Sequence, residues 1–225
     1  MELKDIRPKA TERMLLVGAT GTGKTTLARK LLQSYSDGEE KKPIIVIDPK
    51  CTYDPQDKAY KLVTSPYALV WHGRSEFIHY RPGPEYQSVG DYDKVYKWIY
   101  KRRNILVYTD ETYLTMRGNK SPDWQRACVT CGRELGIGMV FATQRPSGID
   151  LRIYTESEHK VCFYLAHDDD RKRMAQEMGK TVMVDPVIVA EQDGLPHPHA
   201  FWRWNSRDRV TKLAELNLGG VKSGV

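Results

Sequence analysis

The sequence predicts an α/β fold with a mostly parallel sheet and helices on both of its faces. Short apolar runs of strand length alternate with segments of helical periodicity along most of the chain. The run at 43–48 (PIIVID) is apolar without alternation, which is typical of a strand buried on both faces. Strand, helix and strand in succession require crossover connections, and these favour parallel pairing.

Residues 1–103 contain three strand patterns and two helical ones. We predict a strand at Arg13–Val17, a helix from there to about Tyr35 after a glycine-rich turn, and a strand at 43–48. Residues 49–84 are rich in proline, tyrosine and glycine and are expected to be irregular, apart from a short strand at Phe77–Tyr80. An amphipathic helix is predicted at 91–103, where apolar residues recur at helical spacing opposite lysines.

The second half continues the alternation. The predicted strands are 105–109, Gly138–Thr143, 160–166, 181–189 and 199–204, and the predicted helices are 122–135 and Asp168–Met178. A chain of 225 residues is long enough for one α/β domain with a full core. We therefore expect a single domain at 13–204, an N-terminal extension at 1–12 and a C-terminal tail at 205–225.

Composition and charge narrow the class of protein. Apolar residues make up 40% and charged residues 28% of the chain, which is typical of a globular protein. No run approaches the roughly 18 apolar residues of a membrane helix, and the charged N-terminus lacks the apolar segment of a signal peptide. We therefore expect an intracellular protein that does not itself span a membrane. The net charge of +6 favours a polyanionic partner, although many basic proteins have none.

The cysteine spacing does not predict a metal site. Cys128 and Cys131 form a C-x-x-C pair, but no second pair completes a zinc-binding set. We interpret them as free thiols on a helix.

The segment from Gly18 to Thr25, GATGTGKT, fits the phosphate-binding pattern G-x-x-x-x-G-K-[ST] between a strand and a helix. Glycines allow backbone N–H groups to turn inward around phosphate oxygens at the positive end of the helix. Lys24 is predicted to reach the β- and γ-phosphates, and the Thr25 hydroxyl to bind Mg²⁺. The predicted nucleotide-binding residues are Gly18, Ala19, Thr20, Gly21, Thr22, Gly23, Lys24, Thr25 and Thr26.

Two further strands end in polar residues. Asp110 and Glu111 follow the strand at 105–109, and the carboxyl ends of parallel strands share one edge of the sheet. Asp110 is predicted to hold Mg²⁺, and Glu111 to orient and deprotonate an attacking water. Gln144 follows the strand at Gly138–Thr143 and is either a group that contacts the γ-phosphate or a polar residue that ends the strand.

Together these motifs resemble those of the FtsK/HerA superfamily of DNA-pumping ATPases, over residues 13 to 179. The resemblance rests on GATGTGKT, the strand ending in Asp48-Pro49-Lys50, Asp110-Glu111 and the sequence Ala142-Thr143-Gln144-Arg145-Pro146-Ser147. The compact chain is most similar to the genome-packaging ATPases of tailless icosahedral phages with internal membranes, the tectivirus type.

The resemblance implies a RecA-like P-loop core, ATP and Mg²⁺ as cofactors, and a ring of copies, commonly a hexamer, with ATP between subunits. It implies Gln144 as a sensor and an arginine supplied in trans, for which Arg133 is the first candidate and Arg152 the second. Lys160 occupies a position where relatives often carry arginine, so a role for that position in trans is doubtful.

The function predicted from these motifs is ATP-driven translocation of double-stranded DNA into a preformed viral capsid, in the host cytoplasm or on the virion, with a portal or capsid-vertex protein as a further partner. Candidate DNA contacts are 112–124 with Arg117 and Lys120, 71–81, and the basic helix end at 97–103. The alternatives are a P-loop kinase of a nucleotide or small metabolite and a plasmid or chromosome transfer motor. A GTP-dependent switch is disfavoured because the chain lacks an N-K-x-D element.

Overall fold

A computed structural model describes residue 3 and residues 6–37, 41–54, 60–194 and 198–215. The tail beyond residue 215 and part of the predicted N-terminal extension lie outside the described residues. Within them the strands are β1 (Arg13–Val17), β2 (Ile44–Ile47), β3 (Lys61–Val63), β4 (Phe77–Tyr80), β5 (Leu106–Thr109), β6 (Gly138–Thr143), β7 (His159–Cys162), β8 (Phe201–Asn205) and β9 (Lys212–Ala214).

These strands form one sheet in the order β3-β4-β2-β5-β6-β1-β7-β8-β9. The pairs from β3 to β7 are parallel. The last two pairs, β7 with β8 and β8 with β9, are antiparallel. β9 lies within the segment predicted as a tail, so the sheet extends past residue 204. The carboxyl ends of β1, β2, β5 and β6 lie along one edge of the sheet.

The helices cover both faces, which confirms the predicted fold class. They are α1 (Lys24–Asp37), α2 (Val89–Arg102), α3 (Asp123–Cys131), α4 (Leu151–Glu156), α5 (Asp168–Met178) and α6 (Pro186–Gln192). On one face, Met14 and Leu16 of β1 pack in a core that includes Leu27 and Leu31 of α1. On the other face, the intervening residues of β1, Leu15 and Val17, belong to a core that includes the buried apolar side chains of α2 to α5. Alternate side chains of the buried strands therefore supply two cores.

The predicted strand at 181–189 is wrong. This segment forms a short 3-10 helix at Lys180–Met183 followed by α6. The Asp185 carboxylate accepts a hydrogen bond from the backbone N–H of Val187 at 2.9 Å, and Pro186 occupies the first turn, where a missing N–H does no harm. These capping residues outweigh the strand propensity of the valines that follow. Sequence reasoning also missed β3 and α4, which are short.

Lys160 of β7 is a buried cation, with only 3% of the residue exposed. Its ammonium donates a hydrogen bond to the Ser157 carbonyl at 3.1 Å and lies 4.0 Å from the centroid of the Trp204 ring. Burial lowers the pKa of Lys160 to about 8, and the nearby Glu177 carboxylate only partly opposes this. Because the ammonium is enclosed in its own subunit, it is not placed to act on a neighbouring one.

We expect Lys160→Met to stabilise the fold by about 1–2 kcal/mol at neutral pH, since burial of the charge costs more than its contacts return. The unfolded chain binds a proton with the ordinary lysine pKa of 10.5, whereas the folded chain releases it near 8. The cost is therefore fully present below about pH 8 and disappears as the pH rises towards 10.5. Urea unfolding of Lys160→Met and the wild type at about pH 7 and about pH 10 measures this cost. If the variant were more stable by the same amount at both pH values, the buried charge would not be the cause. Lys61→Met, on the exposed edge strand, is the control.

Candidate nucleotide site

Four loops, three of which carry predicted site residues, begin at the carboxyl edge of the sheet. Parallel pairing places the end of β1 beside the end of β6, with Val17 opposite Thr143. It also places Thr109 of β5 opposite Ile47 of β2 and Phe141 of β6. The loops that begin after Val17, Ile47, Thr109 and Thr143 therefore open on the same side. This brings GATGTGKT, Lys50, Asp110-Glu111 and Gln144 into one neighbourhood.

The glycine-rich loop wraps around open space in front of α1. Gly21 and Gly23 have φ angles of 79° and 108°, in the region that favours glycine, and a Cβ at Gly21 would meet nothing within 4 Å. At Gly18 there is no such space, because a Cβ would lie 2.7 Å from the Phe163 Cβ and from the Thr22 hydroxyl. A loop with glycines in these conformations, followed directly by a helix N-terminus, is an arrangement that binds phosphate groups.

Lys24 begins α1 and folds back over the loop. Its ammonium donates hydrogen bonds to the carbonyl oxygens of Gly18 and Ala19 at 2.7 and 2.9 Å. Burial lowers the pKa of Lys24, and the carboxylates of Glu111 and Asp110 oppose this shift. The lysine therefore spans the loop and faces the two acidic residues after β5, where it can bind phosphate oxygens.

Asp110 belongs to a cluster of oxygen atoms near the start of α1. Its carboxylate accepts a hydrogen bond from the Tyr108 hydroxyl at 2.9 Å, and that hydroxyl also interacts with the side chain of Thr25. Burial raises the pKa of Asp110, while the hydrogen bond from Tyr108 lowers it. Carboxylate and hydroxyl oxygens are the ligands that Mg²⁺ prefers, so Thr25 and Asp110 fit the predicted metal role.

Glu111 is held in an unusual conformation at the end of β5. Its φ and ψ angles are 45° and 57°, a left-handed conformation that is costly for a residue with a side chain. One carboxylate oxygen accepts a hydrogen bond from the backbone N–H of Gln144 at 3.2 Å, and the other lies 3.3 Å from the Lys50 ammonium. The structure thus joins the two predicted catalytic residues, Glu111 and Gln144, directly.

Arg133 does not join this cluster. It lies in the 3-10 helix Arg133–Leu135, before the amino end of β6, and forms an ion pair with Glu158, which precedes β7. The backbone N–H of Arg13, at the start of β1, donates to the same glutamate at 2.7 Å. Arg133 is therefore at the amino edge of the sheet, opposite the site of its own subunit. Arg152 lies in the first turn of α4, where its guanidinium contacts the Asp150 carboxylate at 3.4 Å.

Sequence reasoning gave no role to two site residues, Tyr108 and Lys50. Tyr108 precedes Asp110 by two positions, so the alternation of a strand places both side chains on one face. That spacing is a signal which could have identified it. Lys50 follows β2, and no local pattern connects it with Glu111, because only the pairing of β2 with β5 brings the two together.

We expect Tyr108→Phe to weaken Mg²⁺ binding in the presence of nucleotide by about tenfold, because Asp110 loses the hydroxyl that orients it. Magnesium titration of nucleotide binding or hydrolysis measures the change, with Tyr67→Phe, whose hydroxyl is near the surface, as the control. An unchanged magnesium dependence would show that Tyr108 only fills the core.

The three candidate DNA surfaces differ in structure. Arg117 and Lys120 pair through backbone hydrogen bonds in an exposed two-residue turn that contains Gly118, with φ of 59°. In the segment 71–81, Trp71 is 84% exposed, but His79 is buried against Asp48. Arg102 of the third surface donates to the carbonyls of His72 and Ser75, so it connects α2 to the neighbouring loop. The turn after Glu111 exposes both of its basic residues.

Part of the chain matches a known protein family by sequence. Residues 5–107 match the family model described as Helicase HerA, central domain. No curated protein matches the chain by sequence. Within the part of the chain that is described, no helix is long and apolar enough to cross a membrane.

Several solved structures share the fold. The genome packaging NTPase B204 from Sulfolobus turreted icosahedral virus 2, in complex with ATP-gammaS, superposes with a TM-score of 0.73 at 15% identity, over 94% of this chain and 100% of that one. ATPases 2 and 3 of EssC from Geobacillus thermodenitrificans give a TM-score of 0.56 at 14% identity, over 90% of this chain and 39% of theirs. The pCW3 conjugation coupling protein TcpA gives the same score and identity, over 90% and 59%.

Proposed function

We propose that this chain, whose residues 5–107 match the HerA central domain and whose fold is shared by the packaging NTPase B204, hydrolyses ATP to translocate double-stranded DNA and packages a viral genome into a preformed capsid. The predicted resemblance to this superfamily is confirmed. The DNA-pumping and packaging roles are our proposal.

The observation that carries the hydrolytic function is the position of Glu111. Its carboxylate is buried beside the glycine-rich loop, within reach of the Gln144 backbone and facing Lys24. A carboxylate at this place can accept the proton of a water that attacks the γ-phosphate. A kinase would instead need the hydroxyl of an acceptor molecule there. The site is therefore better suited to hydrolysis than to transfer.

The remaining residues have positioning roles in this proposal. The backbone of Gly18 to Gly23 would surround the phosphates, Lys24 would move from its own loop carbonyls to the β- and γ-phosphates, and Gln144 would contact the γ-phosphate or the water. Thr25 and Asp110 would hold Mg²⁺, which neutralises phosphate charge when bound. Glu111 would take the proton onto its carboxylate.

We propose that the chain acts as a ring of identical copies, commonly six in this superfamily, with an arginine supplied from a neighbour. Arg133 is half-exposed and held by Glu158 at the amino edge, whereas Arg152 is half-exposed near the start of α4. Mixing Arg133→Ala subunits with Glu111→Gln subunits tests the first candidate. Partial recovery of hydrolysis supports Arg133, and recovery only with Arg152→Ala subunits supports Arg152.

The experiment that tests the function is the rate of ATP hydrolysis with and without long duplex DNA. We expect strong stimulation by DNA and loss of all hydrolysis in Lys24→Ala. Phosphate transfer to a small acceptor, without a response to DNA, would favour the kinase alternative. A plasmid or chromosome transfer motor would share the stimulation. A transfer motor would not bind a portal or capsid-vertex protein. The packaging function requires such binding, in the host cytoplasm or on the virion.

The exposed turn after Glu111 is the proposed DNA contact. Removing both charges with Arg117→Ala and Lys120→Ala is expected to reduce DNA stimulation at least severalfold and to flatten its salt dependence, because two phosphate contacts are lost. The hydrolysis rate without DNA should be unchanged. Lys172→Ala with Lys180→Ala removes the same charge elsewhere and is the matched control. Equal losses in both double variants would indicate a general charge effect.

A further inference from the structure

Lys50 lies on a turn whose position is fixed by a buried carboxylate. Asp48, which follows β2, is fully buried and accepts hydrogen bonds from the backbone N–H groups of Thr52 and Tyr53, both at 3.1 Å. The backbone of Cys51 donates to the Asp48 carbonyl at 3.2 Å and has φ of 58°. The turn is therefore closed tightly, and it presents Lys50 beside the end of β5.

The Lys50 side chain forms an ion pair with the carboxylate of Glu111, the proposed general base. Its ammonium is 3.3 Å from one oxygen of Glu111, while the second oxygen accepts from Gln144. Glu111 is 5% exposed in its side chain, but Lys50 is 34% exposed. Each oxygen therefore has one partner, and Lys50 lies on the Oε1 side of the carboxylate, where an attacking water could otherwise donate its proton. The partly exposed Lys50 side chain has a flexible stem and can move by a few ångströms, whereas the buried Glu111 carboxylate cannot.

Lys50 also lies near Lys24, the residue that is predicted to bind the terminal phosphate. Its positive charge lowers the pKa of Lys24, as burial does more strongly. Two ammonium groups, those of Lys24 and Lys50, thus lie near each other beside the glycine-rich loop. A terminal phosphate carries more negative charge than one carboxylate, so it would compete successfully for Lys50.

We propose that Lys50 is a nucleotide-sensing residue that exchanges partners: it holds the Glu111 carboxylate without nucleotide and binds the terminal phosphate when ATP is present. The exchange opens the Oε1 side of Glu111 to the attacking water when a γ-phosphate is present. This inference rests on the proposed nucleotide site, and it is independent of DNA translocation. Lys50 is a positioning residue for Glu111 and a binding residue for the phosphate.

The test compares binding of ATPγS with binding of ADP, in Mg²⁺, because only ATPγS carries the terminal phosphate. Lys50→Met is expected to reduce the preference for ATPγS over ADP by about tenfold, with ADP affinity unchanged. Lys50→Arg should keep most of the preference, and Lys61→Met should keep all of it. Lys50→Gln, which removes the charge but keeps a polar side chain, replaces Lys50→Met if that variant does not fold.

The decisive comparison places Lys50→Met in a Glu111→Gln background. If Lys50 binds the phosphate, the preference for ATPγS falls there as well, although the ion pair is already absent. No change in that background would overturn the proposal, since Lys50 would then be only a fixed partner of Glu111. A wild-type chain that binds neither nucleotide overturns this inference and the proposed function together. Normal binding without DNA-stimulated hydrolysis contradicts translocation alone.

Discussion

Glu111→Gln is expected to lower kcat for ATP hydrolysis by about 10²–10⁴-fold, with nucleotide binding retained. The amide has nearly the same shape and can accept the hydrogen bond from the Gln144 backbone, which lies 3.2 Å from the carboxylate. It cannot, however, accept a proton from water. Single-turnover hydrolysis, measured with nucleotide affinity on the same protein, separates the lost chemical step from lost binding.

Glu134→Gln provides the matched control, because this glutamate is exposed in the 3-10 helix at the amino edge of the sheet. It should hydrolyse ATP as the wild type does. If Glu111→Gln retains most of the wild-type kcat, another group activates the water and the role of Glu111 is refuted. If it loses nucleotide binding too, the residue supports the structure of the site and the kinetic effect says nothing about the base.

Asp48→Ala is expected to destabilise the fold by about 3–5 kcal/mol, one of the largest losses for a single substitution in this chain. The carboxylate is fully buried and receives two backbone N–H groups of the following turn. It also contacts His79 at 3.1 Å and Arg81 at 3.7 Å. Removing it leaves these donors without an acceptor in a place that water reaches poorly.

Denaturant unfolding followed by tryptophan fluorescence measures this loss. Asp54→Asn, an exposed acid in the same loop, is the control and should change the free energy of unfolding by less than about 0.5 kcal/mol. A small effect of Asp48→Ala would mean that the turn carrying Lys50 is not anchored by this carboxylate. The turn would then have to be held by Pro49 and backbone contacts.

Local patterns predicted most of the regular structure. The strands β1, β4 and β6 and the helix α5 have the bounds expected from the sequence. Each of these elements is defined by an apolar pattern and by polar residues at its ends, all within a few consecutive residues. The errors occurred where the signal was short or ambiguous. β3 has three residues, and the valines within α6 favour a strand until the capping role of Asp185 and Pro186 is taken into account.

Some residues of the candidate site could likewise be predicted from the sequence, and others could not. The glycine-rich loop with Lys24 and Thr25 is a continuous pattern, and Asp110, Glu111 and Gln144 each follow a recognisable strand, so their common edge could be predicted. The positions of Arg133 and Lys50 could not. Arg133 pairs with Glu158 at the opposite edge, and Lys50 pairs with Glu111 across two neighbouring strands.

The sequence by itself determined the α/β class, the mostly parallel sheet and the phosphate-binding loop, because apolar periodicity and glycine spacing act over a few consecutive residues. The tertiary structure decided which charged groups meet. It placed Lys50 on the carboxylate of Glu111, Tyr108 on Asp110, and Arg133 away from both. The physical reason is that an ion pair between distant residues depends on strand order and register, which arise only when the whole sheet is assembled.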